Sequence, residues 1–151
     1  NSCGGLAEII PLTSDLQAIR NAADNMIASG STDVPLGMAW GWHALSSGVP
    51  LTQGSPPGTE NKMRVMLVLT DGDNTAHRWS NNIDSRMSKI CDNVKAANIT
   101  VFTVRVIDGN ANLLKSCASS PVHYFNVTNA NQLTPVFEQI ASTMSKMRIS
   151  K

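Results

Sequence analysis

Several features are missing from this 151-residue chain, and each absence removes a class of function. No apolar run approaches the roughly 18 residues of a membrane span, so no segment predicts a helix that crosses a bilayer. The net charge is only +1, which gives no general attraction to nucleic acid or to an anionic membrane. The three histidines are scattered, without the spacing of a metal site or local support for a Ser/His/Asp triad. The length and the 42% hydrophobic content predict a single globular domain over residues 1–151.

The three cysteines lack the C-x-x-C spacing that is typical of a metal site. Cys91 and Cys117 fall late in two predicted helices, with one predicted strand between them. A disulfide between these two residues would be compatible with an oxidising compartment, and Cys3 would then have no partner in this sequence. Three reduced, buried thiols are the alternative that the residues leave open.

The most informative segment that is present is VMLVLTDGDNT, residues 65–75. Its apolar run ends in a Gly, Asp and Asn cluster, a pattern typical of a strand buried on both faces of a parallel sheet. In open α/β sheets, ligands bind beyond the carboxyl ends of the strands. Asp71 and Asp73 follow this strand, and carboxylates are hard oxygen donors suited to Mg²⁺, Mn²⁺ or Ca²⁺. The segment therefore predicts a candidate metal site.

Apolar periodicity along the chain predicts an α/β fold, with an open, mostly parallel sheet and helices on both faces. Strands are predicted at 7–12, 63–70, 99–107 and 122–127. Helices are predicted from Ser14 or Asp15 to about 29, and at about 35–46, 83–97, 111–118 and 130–147. Residues 48–61 contain three prolines and three glycines without apolar periodicity, which predicts a long loop inside the domain.

Residues 70–74 have competing local interpretations. Asp-Gly and Asp-Asn are ordinary loop formers, so a simple turn is one of them. A strand followed by Asp-x-Asp-x-Thr also resembles the nucleophile motif of haloacid-dehalogenase-like phosphatases, in which Asp71 would attack phosphorus and Asp73 would act as acid and base. That family needs a second acidic pair, whereas the strand at 99–107 is followed by Asp108 alone. An EF-hand loop is excluded, because no Glu stands at the twelfth position from Asp71.

Another interpretation uses more of the chain. A small-residue loop, Gly-Ser-Thr at 30–32, precedes a predicted helix, and a later strand ends in Thr-Asp-Gly at 70–72. This order resembles the von Willebrand factor A domain, in which the two segments are the second and third parts of a metal-ion-dependent adhesion site. The resemblance implies that the Thr32 hydroxyl and the Asp71 carboxylate bind a divalent cation. This cation would be Mg²⁺, or Mn²⁺ or Ca²⁺ in its place. A carboxylate of a partner protein would then fill the open coordination position.

The first part of that site, Asp-x-Ser-x-Ser after an opening strand, is absent from this sequence. Residues 84–88 read Asp-Ser-Arg-Met-Ser, which has the wrong spacing and lies in a predicted helix. Asp33 and Asp73 are lesser candidates as ligands, and a helix cap and a loop carboxylate are their simpler roles. Because the strand at 7–12 resembles the third strand of the family, we expect the N-terminal strands to be missing. The strand at 63–70 would then have an open edge, available to upstream sequence or to another chain.

Further segments narrow the resemblance to TadG-type pilus-assembly proteins, which are bacterial, membrane-anchored and carry such a domain outside the cytoplasmic membrane. The similar segments include IIPLTSD at 9–15, residues 30–47, LLKSCAS at 113–119 and MRIS at 147–150. The resemblance implies a protein-interaction or adhesion module of the cell envelope, without catalysis, anchored by sequence upstream of this chain. Its partner would be an envelope protein and not a nucleic acid. The resemblance also favours the disulfide between Cys91 and Cys117.

Overall fold

The structure is a computed structural model that describes residues 7–27, 29–75 and 82–149. The side chains of residues 148 and 149 lie outside that description. Helices and strands alternate along these ranges. In chain order they are α1 (Leu16–Asp24), α2 (Val34–Leu45), β1 (Val65–Thr70), α3 (Ile83–Ala96), β2 (Thr100–Val106), α4 (Ala111–Cys117), β3 (Tyr124–Val127) and α5 (Leu133–Ile149). Short 3₁₀ turns at Pro121–His123 and Ala130–Gln132 precede β3 and α5. No helix in the described ranges is long and apolar enough to cross a membrane.

The three strands form one parallel sheet in the order β1-β2-β3. On one face, α2, α3 and α4 pack against the sheet around a buried cluster of Met38, Met66, Val68, Met87, Cys91, Val94, Ile99, Val101, Leu113, Leu114 and Cys117. On the other face, α5 packs on a second buried cluster of Phe102, Val104, Val106, Val127 and Ile140. The predicted open α/β sheet with helices on both faces is therefore confirmed.

The prediction that β1 is buried on both faces is wrong. Met66 and Val68 are each 6% exposed on the α2 and α3 side, whereas Leu67 is 39% and Leu69 47% exposed on the α5 side. The cluster under α5 reaches β1 only at Val65, and Leu67 and Leu69 beyond it stay partly exposed. Among the described strands β1 pairs with β2 alone, and its second edge is open, as the sequence predicted.

The predicted strand at 7–12 is also wrong, because these residues are exposed and have no regular secondary structure. No described strand lies beside them, so a strand here would have no partner to stabilise it. Pro11 also lacks an N–H group that could donate a hydrogen bond to a neighbouring strand. The helix that follows begins where the sequence predicted, because the Asp15 carboxylate accepts hydrogen bonds from the N–H groups of Gln17 and Ala18. It ends at Asp24, earlier than predicted.

Cys91 and Cys117 form a disulfide with a Cα–Cα distance of 5.1 Å, which confirms the predicted pair. The bond joins α3 to α4 inside the larger buried cluster. Cys3 lies outside the described residues. The segment 48–61 has no helix or strand, as predicted, and it returns to the end of α2 at Gly54. A Cβ at Gly54 would stand 2.3 Å from the carbonyl oxygen of Ser46, so this close approach requires glycine.

Candidate functional site

The loops that follow β1 and β2 meet at the carboxyl edge of the sheet. The parallel register pairs Thr70 with Arg105, so both strands end at the same level. Gly109 has a φ of +113°, and a Cβ there would stand 3.1 Å from the carbonyl oxygen of Gly72. Glycine therefore allows the two loops to touch, and this crevice is where open α/β sheets bind ligands.

The loop before α2 is fastened to the loop after β1 by a pair of hydrogen bonds. The Thr32 N–H donates to the Thr75 hydroxyl at 2.9 Å, and the Thr75 N–H donates to the Thr32 carbonyl at 2.9 Å. Beside them, the Val34 N–H donates to the side-chain oxygen of Asn74 at 3.1 Å. The structure thus brings Thr32, 43 positions away from Thr75 in sequence, to the segment that carries the two candidate carboxylates.

Three oxygen-bearing groups at this edge have no hydrogen-bond or ion-pair partner among the described residues. They are the hydroxyl of Thr32 and the carboxylates of Asp71 and Asp73, and both aspartates are exposed. The hydroxyl of Thr70, by contrast, donates to the Gly72 carbonyl at 2.9 Å and shapes the turn. The free oxygens are therefore those that the sequence singled out as candidate ligands.

Asp33 has the simpler of its two predicted roles. Its carboxylate caps α2 by accepting a hydrogen bond from the Leu36 N–H at 3.0 Å. The second carboxylate oxygen lies 4.0 Å from a guanidinium nitrogen of Arg86, and the side chain is only 12% exposed. Because both oxygens already have partners, Asp33 is a poor candidate for a metal ligand.

The structure also shows a residue at this edge for which no role was predicted from the sequence. Asp84, in the first turn of α3, accepts hydrogen bonds from the amide groups of Asn74 at 2.9 Å and Asn110 at 3.1 Å. Residues 84–88 lie on α3, as predicted, so they do not form an Asp-x-Ser-x-Ser loop. The sequence signal for this cluster is that a polar asparagine follows each of the strands β1 and β2 within four residues.

The donor set at this edge fits a hard divalent cation in kind. Mg²⁺ binds through one or two carboxylates and keeps several waters, and the free groups here are two carboxylates and one hydroxyl. Within the described ranges, no group of three or more His, Cys, Asp and Glu side chains is placed to hold a metal ion. An ion would therefore depend on the Thr32 hydroxyl and on water in addition to Asp71 and Asp73.

The described histidines lie away from this edge. His123 stands at the amino end of β3, at the opposite end of the sheet, with its ring 4.3 Å from that of Phe102. Burial lowers the pKa of His123, which favours its neutral form. His43 lies in the last turn of α2, exposed, against the ring of Trp40. Neither histidine therefore lies with the candidate ligands, and His77 lies outside the described residues.

Comparison with known proteins places this architecture in a family. The family profile of the von Willebrand factor type A domain matches residues 5–139. The chain belongs to the von Willebrand factor type A family. Such domains are modules for protein interaction and adhesion, and the described sheet and helices agree with the open, Rossmann-like fold of a von Willebrand A domain.

Solved structures of proximal thread matrix protein 1 from the mussel byssus resemble this von Willebrand A domain. One superposes with a TM-score of 0.58 and 19% identity over 82% of this chain, and one with a zinc-occupied MIDAS motif superposes at 0.59 with 18% identity and the same coverage. A second crystal form gives 0.56 and 16%. The domain spans about 28% of the first two chains, so the likeness shows the fold alone. No curated protein sequence matches significantly.

Proposed function

We propose that this von Willebrand A domain binds a protein partner of the bacterial cell envelope, as part of a TadG-type pilus-assembly system. The observation that carries the proposal is that the side-chain oxygens of Thr32, Asp71 and Asp73 have no partner among the described residues, on two loops that hydrogen bonds join at the end of β1. The segments similar to TadG-type proteins support the envelope location, with a membrane anchor in upstream sequence. The disulfide between α3 and α4 supports an extracytoplasmic compartment, because such bonds persist where conditions are oxidising.

In this proposal the docking edge uses a divalent cation, Mg²⁺ or in its place Mn²⁺ or Ca²⁺. Thr32 and Asp71 hold the ion, and Asp73 supports them. The ion supplies an electrophilic position that a carboxylate of the partner can occupy. The mussel protein with a zinc-occupied MIDAS motif supports cation binding as a property of the fold, although the Asp-x-Ser-x-Ser part is absent from this sequence.

We propose an interaction module and not an enzyme. A phosphohydrolase with Asp71 as nucleophile would need further carboxylates after a later strand. The loop after β2 offers Asp108 alone, and this carboxylate already accepts a hydrogen bond from the Gly109 N–H and lies 3.7 Å from the guanidinium of Arg105. This occupied state of Asp108 disfavours the hydrolase alternative.

The open edge of β1 offers a second mode of association. Leu67 and Leu69 are exposed beside backbone groups that pair with no described strand. Such an apolar edge is a template for another strand, so we propose that upstream sequence or another chain pairs with β1.

Calorimetric titration with Mg²⁺ and Mn²⁺ tests the cation proposal. We expect heat and a rise in melting temperature for the native chain, and about tenfold weaker binding, or roughly 1.4 kcal/mol, for Asp71→Asn. The matched control is Asp92→Asn, which removes a carboxylate that is 76% exposed on α3 and should leave binding unchanged. Neither heat nor a thermal shift for the native chain would exclude the cation and leave a metal-free scaffold.

A phosphate-ester assay separates the interaction module from the enzyme. We expect no turnover of a generic phosphate ester by the native chain with either cation. Metal-dependent turnover that disappears in Asp71→Asn would overturn the interaction proposal in favour of a hydrolase. The same two protein samples serve both assays, so the outcomes can be compared directly.

A further inference from the structure

Asp84 lies where the loops of the candidate site meet the start of α3. Its two carboxylate oxygens accept separate hydrogen bonds, one from the Asn74 amide at 2.9 Å and one from the Asn110 amide at 3.1 Å. Asn74 belongs to the loop after β1, and Asn110 follows β2. One carboxylate therefore links both strand-end loops to a helix.

Each of the two asparagines also anchors a helix through its other side-chain atom. The side-chain oxygen of Asn74 accepts from the N–H of Val34, the first residue of α2. The side-chain oxygen of Asn110 accepts from the Leu113 N–H and caps α4. Through these two amides, Asp84 connects the beginnings of α2, α3 and α4.

The chemistry of this cluster makes it a firm connection. Asp84 is half buried, and hydrogen bonds to an ionised carboxylate are shorter and stronger than those between neutral groups. Its position in the first turn of α3 is one where a negative charge is favoured. The two amide groups donate to different oxygens, so the carboxylate fixes both at once.

The cluster reaches the candidate ligands through the backbone. Asn74 stands between Asp73 and Thr75, and Thr75 is the residue that pairs with Thr32. We propose that Asp84 is a positioning residue, which holds the 71–75 loop against the Thr32 loop so that their oxygens can bind a cation and a partner. The cation part of this inference rests on the function proposed above.

An exchange of charge between Asp84 and Asn110 tests the positioning role. In Asp84→Asn, the new side chain has one acceptor oxygen for the two amide groups, of Asn74 and Asn110, that donate to Asp84. In Asn110→Asp, two carboxylates stand 3.1 Å apart and repel each other. In the double variant, the amide at position 84 donates to the carboxylate at position 110 and accepts from Asn74. That carboxylate can still accept the Leu113 N–H, so every hydrogen bond of the cluster is restored.

Two measurements on the full chain report the result. Amide hydrogen exchange at Val34 and Thr32 reports the two loop contacts, and titration with Mn²⁺ alone reports cation affinity. We expect each single variant to speed exchange and weaken Mn²⁺ binding about tenfold, the effect of one lost hydrogen bond to a charged group. The double variant should return both quantities to within about twofold of the native values, which is the sign of direct coupling. Asp92→Asn, on the same helix, serves as the unaffected control.

The outcomes separate this inference from the proposed function. A double variant as impaired as the single variants, or Asp84→Asn with native exchange, would overturn the positioning role. Restored exchange without restored Mn²⁺ affinity would limit Asp84 to holding the loops together and overturn its role in cation binding. If the native chain binds no Mn²⁺, the cation part of the proposed function fails, and the exchange data decide the role of Asp84 in loop positioning by themselves.

Discussion

The two faces of the sheet differ in how completely they are covered. On one face, α2, α3 and α4 bury β1 and β2, and a disulfide locks two of these helices together. On the other, α5 covers β2 and β3 but leaves Leu67 and Leu69 of β1 exposed. The same strand is thus part of a finished core on one side and an apolar surface on the other. The covered face supports the loops of the candidate site, and the partly exposed face is the one through which we propose association.

A matched pair of leucine truncations gives the largest test of this difference. Leu114→Ala removes a side chain that is 2% exposed, and Leu67→Ala makes the same change where the side chain is 39% exposed. We expect Leu114→Ala to lower the free energy of unfolding by about 2–5 kcal/mol, and Leu67→Ala by less than about 1 kcal/mol. Urea denaturation followed by circular dichroism measures both. Equal losses would mean that Leu67 is covered in solution and would remove the contrast.

Reduction of the disulfide is expected to have a similar or somewhat smaller effect on the covered face. Cys91 and Cys117 are 26 positions apart, and closing a loop of this length is worth about 3.5 kcal/mol of stability in the chain-entropy model. A reducing agent should therefore lower the urea midpoint of the native chain. The double variant Cys91→Ala with Cys117→Ala provides the control, since reductant should not shift its midpoint. An unchanged midpoint in native chains whose thiols are shown to be free would contradict this prediction.

A charge on the open face should change stability least and association most. Leu69→Lys alters a side chain that is 47% exposed, so we expect the free energy of unfolding to change by no more than about 0.5 kcal/mol. A lysine at a strand edge opposes pairing, so self-association in sedimentation velocity should fall. Val122→Lys is the control, because Val122 is 69% exposed but precedes β3 and lies away from the open edge. Equal association of both variants and the native chain would exclude pairing through β1.

The sequence predicted the parts of the fold that local periodicity encodes. The apolar positions of α3 repeat with a helical period, and β2 is rich in β-branched residues, so both elements were predicted within one or two residues. The meeting of the Thr32 and Asp71 loops was also expected, because the resemblance to a known family supplied the topology. Periodicity alone does not bring two such distant segments together.

The predictions from the sequence were wrong, or missing, where the structure of a segment depends on contacts with other segments. The apolar run of β1 is typical of a strand covered on both sides, but β1 lies at an edge of the described sheet and Leu67 stays 39% exposed. The prediction of a strand at 7–12 was wrong for a related reason, because a strand needs a partner strand. Asp84 was missed because its hydrogen bonds join residues ten and 26 positions away, and such contacts leave no pattern in the sequence.

The pairing of α3 with α4 has a mechanical consequence. Asp84 and Asn110 join the starts of the two helices, while Cys91 and Cys117 join them further along. Seven positions separate Asp84 from Cys91, and seven separate Asn110 from Cys117, which corresponds to about 10 Å of helical rise. The two links between the helices are therefore equally far apart on both of them. A force applied to the loops at the sheet edge would be shared between the hydrogen bond from Asn110 to Asp84 and the covalent bond between Cys91 and Cys117. The domain would then transmit tension through this braced pair of helices without shearing one helix past the other.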